Sequence, residues 1–290
     1  MKTNRSRALV ASLVLLLWGC NGAVPPTAEE PAAPAKAPAP ALEKAPAPEK
    51  APPPPAAPAA TTGSSGPLRA GVALDAIAPR DLERLLLDVN PFRAEARFAF
   101  ATGDKKIHLS VRVHESVERA REHVTAAGAA VVRKPAPATE VGLAWPGLAC
   151  VERGLLGWAA VAIDNVTGIV RLEGSLDAAA DGAMRAALVA FVEAVGEPLP
   201  AGAALPRPSV ALAAAAPPRA EAPNALILET EKGCDFVAFE ASNGASVLRA
   251  KAGPVLYAGE AGAVTVRVAV ANRRLLSTTK ELAVEVLPPE

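Results

Sequence analysis

The sequence has few aromatic, histidine and cysteine side chains, and its charges balance. Phe, Trp and Tyr make up 3% of the 290 residues, with three histidines and three cysteines. Thirty basic and thirty acidic side chains give zero formal net charge, so the chain lacks the basic surface that nucleic-acid binding requires. No P-loop, Gly-x-Gly-x-x-Gly, Gly-x-Ser-x-Gly or His-Glu-x-x-His pattern occurs. We therefore expect no cofactor and no catalytic residue of a familiar class.

The first nineteen residues are typical of a signal peptide. Lys2, Arg5 and Arg7 precede an apolar run from Ala8 to Trp18. Eleven residues of helix rise about 16 Å, well short of the ~30 Å hydrocarbon core of a bilayer. The run therefore reads as the apolar region of a leader rather than as a membrane-spanning helix.

The leader ends in Leu17-Trp18-Gly19-Cys20, which resembles the lipobox of bacterial lipoproteins, although Trp18 replaces the usual small residue. The resemblance implies that the Cys20 thiol is lipidated, that the signal peptide 1–19 is removed and that fatty acyl chains such as palmitate attach the protein to a membrane. Asn21, in place of the aspartate that retains some lipoproteins at the inner membrane, favours the outer membrane. The alternative is an ordinary secretory signal with a chance cysteine.

Residues 20–66 have the composition of a disordered tether that follows the lipidated cysteine. Thirteen of the 29 prolines lie between Pro25 and Pro58, mostly alternating with alanine. Proline blocks helices and sheet ladders, and the few large apolar side chains cannot offset the entropy cost of folding. An extended segment of this length could reach about 140 Å. The tether could hold the folded part away from the lipid, or it could be a passive spacer.

Residues 67–198 carry the patterns of an α+β domain. Alternation at 94–100 and 107–113 predicts a hairpin, and further strands are expected at 149–153, 156–163 and 169–173. Apolar stripes predict three helices, one opened by Pro79 and Asp81, one after Ser116 and one after Ser175. The first stripe consists of Leu82, Leu85 and Leu86. The order α-ββ-α-βββ-α predicts an antiparallel sheet with helices packed on one face.

The composition of residues 199–223 predicts an Ala/Pro linker. The pattern of residues 224–290 predicts a small all-β, sandwich-like domain. Helical periodicity disappears after the linker, and short apolar runs alternate with glycine turns. The clearest strand places Val264, Val266, Val268 and Val270 on one face. The run from Gly262 and the closing strand from Leu282 resemble the last two strands of bacterial Ig-like or PKD-like modules.

Histidine and cysteine offer the remaining candidate chemistry. His108 and His114 lie about 20 Å apart along one strand, too far for a shared metal ion, whereas His123 on the next helix could approach one of them. We interpret all three as solvated surface histidines and expect no metal site. Cys150 and Cys234 could form a disulfide between the two domains, or they could be two independent reduced thiols.

These patterns favour a lipid-anchored cell-envelope protein without enzymatic activity, which presents small domains to envelope proteins or the cell wall. One alternative is a carrier of a small apolar ligand, with a pocket near Trp145, Trp158 and Phe191. Another is an envelope hydrolase with an unrecognised site. An exposed apolar patch or an unpaired strand edge would favour partner binding over both.

Overall fold

The computed structural model of the protein describes residues 66–290. The expected signal peptide 1–19, the lipidated Cys20 and nearly all of the tether 20–66 lie outside the described residues. Antiparallel sheets dominate the described part, which also contains two α-helices. Neither of these helices is both long and apolar enough to cross a bilayer.

The largest element is a seven-stranded antiparallel sheet, which includes the hairpin expected at 94–113. Its strands are β1 Glu83–Asn90, β2 Glu95–Thr102, β3 Lys105–Val113, β4 Ala136–Pro137, β5 Gly147–Glu152, β6 Leu155–Ile163 and β7 Val166–Glu173. They lie in the order β1-β2-β3-β7-β6-β5-β4. The two helices, α1 Val117–Ala129 and α2 Ala178–Ala194, follow β3 and β7. The chain therefore returns to the sheet centre, where β3 pairs with β7.

The helix expected after Asp81 is wrong, because this segment forms β1. Leu87 and Val89 pack against the main core, and Leu82 packs against it from just before the strand. A register shift between Arg84 and Leu86 interrupts the alternation of the strand. An extra residue at a bulge changes the face of the sheet to which the later side chains point. The spacing of the leucines in this strand therefore resembles the apolar stripe of a helix.

The expectation that the helices pack on one face of the sheet is also wrong. Phe191 of α2 belongs to the main core together with Val161 of β6. Ala120 of α1 packs in a separate cluster with Ala160 of β6. Because successive strand residues point to opposite faces, α1 and α2 cover opposite faces of β6. The uninterrupted apolar run of β6 is the sequence signal for a strand buried on both faces.

The second region consists of two further antiparallel sheets. Its strands are β8 Val210–Ala214, β9 Asn224–Thr230, β10 Phe236–Ala241, β11 Ser246–Ala250, β12 Gly253–Tyr257, β13 Gly262–Ala271 and β14 Ser277–Val286. One sheet has the order β10-β13-β14 and the other β11-β12-β9-β8. The valines expected on one face of β13 are buried, and they share a core with Leu226 and Leu256 of the other sheet. β8 lies inside the segment expected as linker and pairs with β9.

The turn between β13 and β14 joins this region to the main sheet. The amide of Val72 donates to the carbonyl of Arg274 at 2.8 Å, and that of Leu74 donates to Arg273 at 3.0 Å. Leu275 is fully buried in the main core. The described residues 66–290 accordingly belong to one compact unit. That 67–198 and 224–290 are separate domains stays a prediction.

Candidate functional site

Two histidines and a threonine form a buried cluster at the end of β3. His114 Nε2 lies 3.0 Å from the hydroxyl of Thr167 on β7, and His123 Nδ1 of α1 lies 3.0 Å from the same hydroxyl. The two imidazole rings are 5.0 Å apart between centroids. His123 thus approaches His114, one of the two partners that the sequence allowed. The cluster exists because α1 folds back across β7 directly after β3.

The interpretation of His114 as a solvated surface histidine is wrong, because its residue is only 8% exposed. Burial, followed by the influence of His123 and Arg112, lowers the pKa of His114 to about 4. Burial and Arg112 also lower the pKa of His123, against an opposing influence of Glu95. Both rings are therefore neutral near pH 7. A single hydroxyl can donate to one neutral ring and accept from the other, which satisfies the hydroxyl and one nitrogen of each ring.

The turn before Thr167 locks the cluster in place. Asn165 is fully buried, and its side-chain amide donates to the carbonyl of His114 at 2.9 Å. Its side-chain oxygen accepts from the amide of Arg69 at 2.6 Å. The amide of His114 donates to the carbonyl of Asn165 at 2.8 Å. Asn165 therefore fixes the backbone that carries His114.

A solvent-open cavity of about 380 Å³ lies beside this cluster. The end of β3, the start of α1, residues 205–207 and the turn at 275–277 form its walls. Its charged or titratable lining residues are Arg93, Arg112, His114, Glu115, Arg119 and Arg207. Four arginines and one glutamate belong to the lining while His114 is neutral, so the lining residues have a formal excess of three positive charges.

Two of these arginines are paired with carboxylates and two are not. Arg207 Nη2 lies 2.6 Å from Glu115 Oε1, and Arg119 contacts a carboxylate on the next turn of α1 at 3.0 Å. Arg112 donates from Nε to the carbonyl of Arg93 at 3.1 Å. Within residues 66–290, neither Arg93 nor Arg112 forms a salt bridge. Cavities with such lining raise the local concentration of anions.

His108 lies apart from the cluster, six residues before His114 in the first half of β3. Its Nε2 is 2.7 Å from Glu173 Oε2, and Lys106 lies 3.5 Å from the same carboxyl group. The hydrogen bond from His108 and the charge of Lys106 lower the pKa of Glu173. In the described part of the chain, no group of three or more His, Cys, Asp or Glu side chains could hold a metal ion.

The two cysteines are free thiols in different surroundings. Cys150 on β5 donates to the carbonyl of Arg133 with 3.6 Å between sulfur and oxygen. Cys234 packs against the core of the second region. Burial raises the pKa of both thiols, so neither has the lowered pKa of a reactive cysteine.

The aromatic pocket considered for an apolar ligand is not formed. Trp145 and Phe191 pack with the main core, whereas Trp158 packs on the opposite face of the sheet with α1. The three side chains are therefore divided between two apolar clusters. Their positions give no support to a shared ligand pocket.

Strand β1 is an unpaired edge of the large sheet and carries exposed apolar side chains. Leu85 is 49% exposed and Leu86 is 53% exposed. β1 pairs only with β2, which leaves its outer backbone groups without a strand partner in the described region. Such an edge can pair with another chain.

Sequence reasoning located the histidines but missed the arginine-lined cavity. Its arginines are scattered between positions 93 and 207 and come together only in the fold. No sequence pattern identified Asn165 as a support for the backbone of His114. The chain matches no protein-family model and no curated protein.

Proposed function

We propose that this chain is a lipid-anchored protein of the cell envelope, without enzymatic activity, which presents its folded part to envelope proteins or the cell wall. The lipobox-like sequence that ends at Cys20 carries this proposal. Two or more acyl chains hold a protein stably on a membrane. The residue after the cysteine, Asn21, favours the outer membrane as the site of attachment.

The organisation of the chain agrees with this role. The proline-rich composition up to residue 66 is typical of an extended tether, and a fully extended segment of this length reaches about 140 Å. The two sheets of residues 210–286 share one core, and we assign them to a small sandwich-like module. Such a molecule is anchored at one end and exposes its folded surface at the other.

The free edge of β1 supports interaction with a protein. Its unpaired backbone groups and the exposed Leu85 and Leu86 fit an extended segment of another envelope protein, added as a further strand. In this mode the backbone supplies hydrogen bonds and the side chains supply specificity. The divided positions of Trp145, Trp158 and Phe191 make the apolar-ligand carrier the weaker candidate.

Replacement of the lipidated cysteine tests the anchor. We expect Cys20→Ser to abolish incorporation of labelled palmitate and to leave the leader attached. Cys150→Ser is the matched control, and it should be processed and labelled like the parent protein. Palmitate labelling of Cys20→Ser at the parent level would overturn the anchor.

A charge on the free edge tests partner binding. Lysine at an edge strand opposes pairing with another chain, so Leu86→Lys should lose the crosslinked adducts formed by the parent protein in native membranes. Val189→Lys is the control, because Val189 is 41% exposed on α2 and lies on no sheet edge. Equal adducts in both variants would contradict binding through β1.

A further inference from the structure

We propose that the arginine-lined cavity beside His114 is a binding site for a small amphipathic acid, whose carboxylate or phosphate group contacts Arg93 and Arg112. This site goes beyond the proposed function, because it requires neither the lipid anchor nor the β1 edge. Its basis is the combination of unpaired positive charge and apolar wall in one cavity.

The charge of the cavity calls for an anion. Arg93 and Arg112 are close enough for the carbonyl of one to accept from the guanidinium of the other at 3.1 Å. The neighbouring carboxylates form their closest contacts with other arginines: Glu115 binds Arg207, and Glu95, opposite Arg112 in the sheet, binds Arg97 at 2.7 Å. The charge of Arg112 also contributes, less than Arg97, to the lowered pKa of Glu95. An added anion would offset part of the formal positive charge of the lining.

The donors that remain fit a planar or tetrahedral oxyanion. Arg112 uses Nε for the Arg93 carbonyl, which leaves its two terminal nitrogens free to donate. Guanidinium groups bind carboxylate and phosphate through paired hydrogen bonds. The ring of His114 is engaged by Thr167, so the arginines supply the charge of the site.

The remaining wall selects an acid that has an apolar part. Phe92, Leu205 and Pro206 also line the cavity. The guanidinium carbon of Arg267 lies 5.4 Å from the centre of the Phe92 ring. A volume of about 380 Å³ lies within the usual range of small-molecule pockets. The site therefore suits a compact aromatic or short aliphatic acid.

Direct binding of three probes to the full chain in neutral detergent tests the site. The probes are benzoate, phenyl phosphate and benzyl alcohol, and binding is measured by titration calorimetry at low and high salt. We expect at least one of the two anions to bind, its affinity to fall as salt increases, and benzyl alcohol to bind more weakly than that anion. If one of the two anions binds more tightly, its acidic group, carboxylate or phosphate, is the one that the site prefers. Equal binding of benzyl alcohol, or binding of no probe, would overturn the proposal.

Substitutions then test whether Arg93 and Arg112 bind the anion. Arg112→Gln and Arg93→Gln should each weaken anion binding by about tenfold, the effect of losing one charged hydrogen bond. Arg249→Gln is the control, because Arg249 is exposed on β11 and lies outside the cavity lining. Circular dichroism and thermal melting identify any variant that fails to fold. If Arg112→Gln fails to fold, Arg93→Gln tests the site in its place. Parent-like affinity in a folded Arg112→Gln or Arg93→Gln protein would contradict the assignment.

Discussion

The large sheet with its helices and the pair of smaller sheets bury different kinds of side chain. The four buried polar or charged residues of residues 66–290 are Glu95, His114, Asn165 and Thr167. All four belong to the large sheet or to its connecting segments. The core shared by the two smaller sheets consists of Leu, Val and Ala.

The two regions therefore differ in what their buried side chains require of their surroundings. An apolar core requires only suitable volume and shape, whereas a buried polar group must have its partners in place. The large sheet pairs Asn165 with His114, and Thr167 with both histidines. The cavity adjoins this polar cluster, although residues 275–277 of the second region complete its wall.

Core truncation in each region is the strongest test of how far the two regions are independent. Phe191→Ala should lower the free energy of unfolding by about 3–5 kcal/mol, and Leu256→Ala by about 2–5 kcal/mol. Both side chains are fully buried. Because Leu275 packs into the main core and residues 72–74 bond to the β13–β14 turn, we expect both variants to shift one common transition. Calorimetry of the full chain measures this.

Two transitions, each shifted by only one of the variants, would instead show that 67–198 and 224–290 unfold as separate domains. Leu248→Ala is a control for the measurement, because Leu248 is 58% exposed. This variant should leave the transition close to that of the parent.

Local sequence patterns predicted the elements that depend on residues close together in the sequence, such as helix caps and apolar helix stripes. Ser116 caps α1 as expected, and accepts from the amide of Arg119 at 3.2 Å. The stripe of α2 is buried at Met184, Leu188 and Phe191. The cap of α2 is Asp177 rather than the expected Ser175. These features depend on neighbours in sequence, so a single sequence contains the information.

The errors occurred where distant contacts decide the structure. The bulge in β1 depends on its pairing with β2, and β8 forms because β9 lies beside it. The cavity requires residues 205–207 to return to the start of α1, where Arg207 meets Glu115. Neither hydrophobic periodicity nor motif spacing records such contacts.

Acid sensitivity is the next largest effect, and it originates in the large sheet. His114 has a pKa of about 4 in the folded protein and about 6.5 when unfolded. The unfolded chain therefore binds more protons between these values, so stability is lost as the pH falls below 6.5. Between pH 7 and pH 5, His114 alone should contribute a loss of about 2 kcal/mol. Urea unfolding across this range measures the change.

Substitution of His114 tests whether the buried cluster causes this pH dependence of the free energy of unfolding. His114→Gln should flatten the pH dependence by that amount, because glutamine does not titrate. His108→Gln changes a histidine outside the cluster, which contacts Glu173, and it should keep the parent slope. If both variants retain the parent slope, the His114 cluster is not the source of the acid sensitivity.

A count of thiols is the smallest effect and the most direct test of whether the regions are covalently joined. Cys150 belongs to the large sheet and Cys234 to the second region, and both are free. If Cys20 is lipidated as proposed, its sulfur is a thioether, so we expect the protein extracted from membranes to titrate two thiols in denaturant without reductant. Reductant should leave the melting temperature unchanged, since no loop closure is lost. Two thiols that appear only after reduction would reveal a bridge between Cys150 and Cys234, and three thiols before reduction would show that Cys20 is not acylated.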